Sequence, residues 1–331
     1  MAVGMTVTMF TSSKHSPPIT IFTQERDLHA YAVRHVLISR GVGCSIIETD
    51  GLAVSGGMSW SPTGEISKAI INDIDNNKVF LEDTSLLWYR RLTGKPRFPE
   101  TFIDEEARDL VTNDCRATLL GLAITQFKGL WMSHPEATRV AENKLVQLTA
   151  AHKVGLRIPR TLISQDPITV RKFCSELDYK VVVKTVAGTH KTSVMAGHVT
   201  PEMLTDEAIS LCPAIYQEMI EGINHLRVCC FGNQIHTALL TTDQLDWRYP
   251  LNATAEPYEL DEITKGKLYD VLTSLNLEMG VMDMKLTPEG EPVWLEVNPQ
   301  GQFLFLEELC GMPLTNIFTE FLISKIKSIS S

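Results

Sequence analysis

Residues 280–303 read GVMDMKLTPEGEPVWLEVNPQGQF, and this stretch decides the fold. Two alternating, largely apolar runs, Gly280–Leu286 and Val293–Val297, flank the turn-forming Pro288-Glu-Gly-Glu291. That pattern reads as a β-hairpin. Closure between Thr287 and Pro292, or a tighter turn at Glu289-Gly290, gives the same register. Asp283 then faces Glu296, and Lys285 faces Trp294. Like charges directly opposed on one sheet face repel unless something bridges them. Asn298 lies two residues beyond Glu296 and shares its face. Asp, Glu and Asn together are hard oxygen donors, a set that suits Mg²⁺ held partly by protein and partly by phosphate and water. A lone acid on a hairpin would read as solvated. Two facing acids inside apolar strands, ended abruptly by Asn298-Pro-Gln-Gly301, favour a metal site.

Such a site needs an anionic partner, and cations lie upstream. No G-x-x-x-x-G-K-[ST] occurs, so the phosphates would not sit in a P-loop. Lys184 ends the apolar run Tyr179–Val183, where an ammonium is costly unless it reaches an anion. The neighbouring Gly188 loop (187–192) could lay backbone N–H groups over phosphates. Lys184 alone reads equally as a snorkelling strand lysine. Lys144, after Glu142 in a predicted helix, reads alone as a surface lysine. Ile215-Tyr-Gln-Glu-Met-Ile220 is a strand leading to Glu221-Gly222, where a departing backbone could pair with an adenine edge. Arg227, Arg248 in Asp246-Trp-Arg248, and Arg90-Arg91 read individually as ordinary surface arginines.

Working outward, the chain has 331 residues, enough for two or three domains. Apolar residues make up 44% and charged residues 21%, which excludes disordered, collagen-like and coiled-coil classes. The formal net charge of −10 argues against a nucleic-acid partner. It leaves room for a local cationic pocket. The seven cysteines form no C-x-x-C pair, so neither a zinc ribbon nor a thioredoxin motif is supported. Adjacent Cys229 and Cys230 read as buried inert thiols, and reduced thiols suit the cytoplasm. Neither a signal peptide nor a membrane span is legible.

Residues 1–18, ending in polar TSSKHSPP, read as a flexible extension. Ile19–Thr23 (strand), Asp27–Arg40 (helix, stopped by Gly41), Val42–Glu48 and Leu86–Tyr89 (strands) predict an α/β layer. No G-x-G-x-x-G follows the first strand. Residues 94–116, rich in Pro and acids, mark a change of character. Ser133-His-Pro-Glu136 reads as a capping box opening one helix through Lys144 to Gly155. Arg160–Ser164, Lys180–Thr185, Ser193–Val199, Ala214–Ile220, Arg227–Phe231 and Gln234–Thr241 read as strands. Ile168–Leu177, Pro201–Leu211, Glu262–Leu275 and Pro313–Ser330 read as helices. The predicted domains are 19–130, 131–212 and 213–331.

The order Lys144, Lys184, Gln217-Glu218-Met219-Ile220, Arg227, Arg248, Asp283, Glu296-Val-Asn298 resembles the ATP-grasp ligases over about residues 130–322. Trp88-Tyr-Arg-Arg91, Asp246-Trp-Arg248 and Glu296-Val-Asn-Pro-Gln-Gly-Gln302 bring the chain nearest to the microviridin-type peptide-crosslinking ligases, the graspetide synthetases. It is also similar to the ribosomal-protein glutamate ligases. The resemblance implies an α/β fold of two ATP-grasp lobes behind a Rossmann-like N-terminal domain, and a homodimer. It implies that Lys144 and Lys184 hold the α- and β-phosphates of ATP, that Glu218 through Ile220 line adenine, and that Gln217 belongs to the same ATP-binding set. Asp283, Glu296 and Asn298 would hold two Mg²⁺ ions. Arg227 and Arg248 would face the transferred phosphate and the substrate carboxylate.

The implied partner is a ribosomal precursor peptide with a leader and an acidic core. The implied reaction activates Asp or Glu side chains as acyl phosphates and closes ester or amide rings. The leader would dock on the central lobe, with Glu202, Asp206 and Glu207 of Pro201–Leu211 as candidates; an ordinary solvated face is the equal alternative. Related glutamate ligases often carry a ribose-holding acid where this chain has His225, so Glu221 becomes the substitute candidate, and His225 reads as a surface loop residue. Two other readings compete: ligation of free amino acids, and a nucleotide-binding partner without catalysis. The intact Lys144, Lys184, Asp283, Glu296 and Asn298 set argues against the latter.

Overall fold

In the computed structural model, residues 18–63, 69–92, 95–102, 104–188, 195–244 and 254–330 are described. The chain divides into two compact units, Met1–Leu130 with Ile326–Ser331, and Trp131–Lys325. The extension 1–17 lies outside the described residues.

The first unit holds β1 (Ile19–Thr23), α1 (Leu28–Ser39), β2 (Cys44–Glu48), α2 (Leu52–Ser55), β3 (Ile70–Asn72), β4 (Lys78–Phe80), β5 (Leu86–Tyr89) and α3 (Glu105–Gln126), and ends at β6 (Leu130–Trp131). β1 pairs in parallel with β2 and β5, in the order β2-β1-β5-β6. All five residues of β1 are buried, the continuous apolar reading of a strand covered on both faces. Asp27 caps α1 by accepting from His29 N. Its other oxygen takes Arg90 Nε at 2.6 Å and the Thr23 hydroxyl at 2.6 Å. Arg90 is therefore a buried partner of Asp27, not a surface arginine: it is 2% exposed. The acidic stretch within 94–116 is not a break in structure. Asp104 caps α3, and Glu105 and Glu106 fill its first turn, where acids favour a helix start.

The second unit opens with α4 (Pro135–Ala141) and α5 (Lys144–Lys153). The single predicted helix is two. His134 is the cap of α4, accepting from Glu136 N, while the hydroxyl of Ser133 accepts instead from Glu278 N. Asn143 accepts from Leu145 N and Val146 N and restarts the chain as α5, so Lys144 sits at the first position of a helix. Then come β7 (Thr161–Ser164), α6 (Pro167–Glu176), β8 (Val181–Lys184), β9 (Gly197–His198), α7 (Asp206–Leu211) and β10 (Ala214–Glu218). They build a sheet of order β7-β10-β8-β9 over a core of Val170, Cys174, Val181, Ile209 and Tyr216. Because β10 pairs with β7 and β8, this lobe extends to Glu218 rather than ending at 212. The expected helix Pro201–Leu211 is a 3₁₀ turn, Pro201–Met203, followed by α7 with Thr205 as its own cap.

The remaining elements are β11 (Asn224–Phe231), β12 (Gln234–Thr241), β13 (Thr254–Tyr258), α8 (Glu262–Ser274), β14 (Met279–Leu286), β15 (Pro292–Asn298), α9 (Leu304–Cys310) and α10 (Leu314–Ser330). The five strands run β13-β12-β11-β14-β15, all antiparallel. One face carries Leu226, Val228, Cys230, Met282, Met284, Trp294 and Val297 into a core with α5 and α8. Alternation sends Arg227, Cys229 and Asp283 to the opposite face. There Phe231 packs on Phe303 and Phe318, with ring centroids 5.6 and 4.8 Å away, closing one end. α4 and α5 thus pack with this sheet, although they precede the central lobe in the chain. All seven cysteines are free, and burial pushes the Cys229 thiol up to about 12, as expected for an inert group. No helix among the described residues is long and apolar enough to cross a membrane.

Candidate active site

The site face is built from β11, β14, β15 and the start of α5. Asp283 stands opposite Glu296, as the hairpin predicted. Lys285 does not face Trp294: it pairs with Val293, because the register shifts between Asp283 and Met284. The shift inserts one extra residue, Leu295, into β15. This bulge lets Trp294 and Val297, three apart, both enter the core, and leaves Leu295 beside Glu296 on the other side. The signal was present as the apolar triplet Val293-Trp294-Leu295, which breaks the alternation of the strand.

Each facing acid has a cation. Arg227 Nη1 donates to Asp283 Oδ1 at 2.8 Å, and Nη2 to the carbonyl of Gln302 at 2.9 Å. Their side chains are only 7% and 16% exposed. Lys144 Nζ lies 2.5 Å from Glu296 Oε2, in a pair about one-third exposed on both sides. These two pairs differ in worth. An exposed pair contributes about 0–1 kcal/mol, so Lys144 can leave Glu296 at little cost. Breaking a buried pair from one side costs about 3–5 kcal/mol, so Arg227 is fixed. Asn298 accepts from Gln300 N at 3.0 Å.

β15 is held in place by a residue absent from the sequence reading. Buried Gln147 of α5 donates to Val297 O at 2.9 Å and accepts from Val297 N at 3.1 Å. It acts as a strand partner between Glu296 and Asn298.

The other expected residues sit on the smaller sheet. Lys184 Nζ donates to Gln217 Oε1 at 2.8 Å, and Gln217 Nε2 donates to the Thr161 hydroxyl at 3.0 Å. Glu218 accepts from Arg160 N at 2.9 Å. The N–H groups of Glu218 and Met219 donate to the carbonyls of Arg160 and Lys180. Of that run, only backbone donors beyond Met219 remain to meet a base edge. Ile220 is buried, and Glu221 pairs with Lys180 at 2.6 Å with both more than half exposed. His225 is no loop residue: it lies in β11 and is 4% exposed. Asp206 pairs with Arg171, while Glu202 and Glu207 stay exposed. Arg248, and the 187–192 loop beyond Gly188, lie outside the described residues.

Carboxylates and an amide on one face, with no third carboxylate, histidine or cysteine gathered to them among the described residues, fit a hard cation sharing its ligands with phosphate and water. Fixed and mobile cations beside them can neutralise a polyphosphate and a carboxylate brought together.

Solved structures share this arrangement of elements. The macrocyclase MdnC of Microcystis aeruginosa MRC, solved with its precursor peptide MdnA, is 28% identical with a TM-score of 0.81, over 92% of this chain and 99% of that one. A RiPP-associated ATP-grasp ligase of Chryseobacterium gregarium, solved with ADP and a leader and core peptide, is 22% identical with a TM-score of 0.81, over 93% and 96%. The ATP-grasp ligase PsnB, solved with a minimal precursor, Mg and ADP, is 22% identical with a TM-score of 0.76, over 96% and 99%. No family model and no curated protein matches the chain. The fold is that of the RiPP-associated ATP-grasp ligases.

Proposed function

We propose that the chain is an ATP-dependent ligase that crosslinks side chains of a ribosomal precursor peptide. The observation that carries this reading is the Asp283–Glu296 pair, facing across a hairpin with Arg227 fixed on one acid and Lys144 loosely held on the other. The likeness to a peptide macrocyclase along nearly the whole chain supports it.

In this reading Lys144 and Lys184 bind the α- and β-phosphates, and Glu218 through Ile220 line the base. Asp283, Glu296 and Asn298 would hold a pair of Mg²⁺ ions, which when bound supply positive charge to the polyphosphate. Arg227 is oriented before substrate arrives, by Asp283 and the Gln302 carbonyl, so it stabilises developing charge without reorganisation. Arg248 is proposed to share that task. An Asp or Glu side-chain oxygen of the peptide attacks the γ-phosphorus, and ADP leaves. A Thr or Ser hydroxyl, or a Lys amine, then attacks the acyl carbon; its proton is lost and phosphate departs. The protein supplies no nucleophile. Exposed Glu202 and Glu207 are proposed to meet the leader; Asp206 is already engaged by Arg171. A homodimer acting in the cytoplasm completes the proposal.

Incubation with Mg²⁺, ATP and a precursor peptide should remove the mass of one water per ring, with one ADP formed for each. Asp283→Asn should lower that turnover roughly 10²–10³-fold, as loss of a preorganised electrostatic partner does. A gain in peptide mass would show addition of free amino acids instead. Wild-type turnover in Asp283→Asn would overturn the metal assignment.

A further inference from the structure

Lys285 is an ammonium with no ion-pair partner among the described residues. It lies in β14 on the face of Asp283, two residues farther on, and is 8% exposed. Among the described residues no carboxylate pairs with it and no hydrogen bond holds it. Its cross-strand neighbours are His225 on β11 and Val293 on β15. The side chain as a whole is covered, but Nζ is not among the buried polar atoms that lack a partner, so the stem is sheathed by the sheet while the ammonium opens outward from the site face. The arrangement is that of a binding group whose partner arrives from outside.

Its position says which part of a ligand it meets. In one direction along β14, about 6–7 Å away, are Asp283 and Glu296, where the phosphates would lie. In the other direction the hairpin meets the linker leaving β10: a Cβ on Gly222 would sit 2.9 Å from Leu286 O. That linker follows the run assigned to the base. Lys285 therefore stands between the phosphate end and the base end of the cleft. A nucleotide carries its ribose there. His225 lies directly opposite on β11. An ammonium there can donate to the oxygens of ribose hydroxyls.

We propose that Lys285 is a nucleotide-binding residue, its ammonium donating to the ribose hydroxyl oxygens of ATP from the position opposite His225. The proposal rests on the ATP-dependent reading above and extends it. It moves the ribose contact from Glu221, which is exposed and paired with Lys180, to a lysine inside the sheet.

Calorimetric titration of the full chain with ADP, 2′-deoxy-ADP and 3′-deoxy-ADP tests it, together with thermal melts with and without ADP. The wild-type chain should prefer ADP over at least one deoxy analogue. Lys285→Met should bind ADP about tenfold more weakly, as loss of a charged hydrogen bond implies, and should lose that preference. Its ligand-free form should melt no lower than wild type, because the ammonium holds no ion pair or hydrogen bond there, and ADP should raise its melting point less. Lys285→Gln, which keeps a donor, should retain part of the preference. Wild-type ADP binding with unchanged affinity and unchanged ribose preference in Lys285→Met overturns this proposal alone. A ligand-free Lys285→Met that melts well below wild type also overturns it, since the lysine would then be structural. Failure of the wild-type chain to bind ADP overturns the functional reading and this proposal with it.

Discussion

Asp27 gathers a helix cap, a hydroxyl and two arginines on one carboxylate of the first unit. It caps α1, takes the Thr23 hydroxyl, and pairs with Arg90 at 2.6 Å and Arg91 at 3.8 Å. Burial alone would raise its carboxyl, but Arg90, Thr23 and Arg91 outweigh burial and hold it below the usual carboxylate value. A depressed folded value means the stabilisation is complete above the unfolded pKa of about 3.9. It is lost as pH falls through the lower, folded value. Melts followed by circular dichroism from pH 7 to pH 2 should show the wild-type midpoint dropping below about pH 4. Asp27→Asn should start lower, destabilised by about 3 kcal/mol or more because a buried arginine loses its counter-charge, and should fall less on acidification. Parallel profiles would remove Asp27 as the source of acid sensitivity. The pair also shows why some residues were illegible in the sequence. Arg90 follows an apolar strand and looks like its wet end; its partner is 63 positions away, and no local pattern announces a contact of that range. The Asp283–Glu296 pair was legible because its partners share one hairpin, where spacing alone sets the geometry.

Elements carried the site where their periodicity was regular, and misled where one residue was added or a helix was interrupted. The hairpin was legible as far as Asp283–Glu296; beyond it, the Leu295 bulge moved Lys285 from Trp294 to Val293. Asn143 divides a seemingly continuous helix, and the division aims Lys144 at Glu296 rather than along a surface. α5 then does more than present Lys144. Its buried Gln147 closes both peptide groups of Val297 as a neighbouring strand would. Gln147→Leu keeps the size and removes both bonds, leaving a buried N–H and C=O without that partner. The expected cost is about 1–3 kcal/mol. Since Val297 lies between Glu296 and Asn298, the same change should weaken Mg²⁺-dependent ADP binding more than metal-free ADP binding. Calorimetry with and without Mg²⁺ separates these. An equal loss in both would mean that Gln147 supports the sheet without positioning its acids.

The molecule as a whole carries a formal charge of −10, and its proposed substrate is an acidic peptide meeting cations held locally at the site. The change in composition within 94–116 precedes the division between the two units, which falls between Leu130 and Trp131. The lobes of the second unit were not legible, because α4 and α5 pack with a sheet formed more than 70 residues later and β10 pairs backwards with β7 and β8. Charge acts across that whole unit in a way the contacts do not. At low ionic strength, near 0.01 M, fields reach about 30 Å, and at 0.1 M about 10 Å. The net charge therefore repels an acidic peptide at long range, whereas Arg227 attracts its carboxylates only at contact. Added salt should screen the first effect before the second. The ratio kcat/KM for an acidic precursor should accordingly rise between about 0.01 and 0.1 M salt, through faster association, while kcat stays level. A steady fall of kcat/KM over the same range would mean that the cationic site steers the peptide from a distance despite the net charge. A precursor whose exposed acids outside the reacting positions are replaced by glutamine should lose the salt-induced rise and keep its rings.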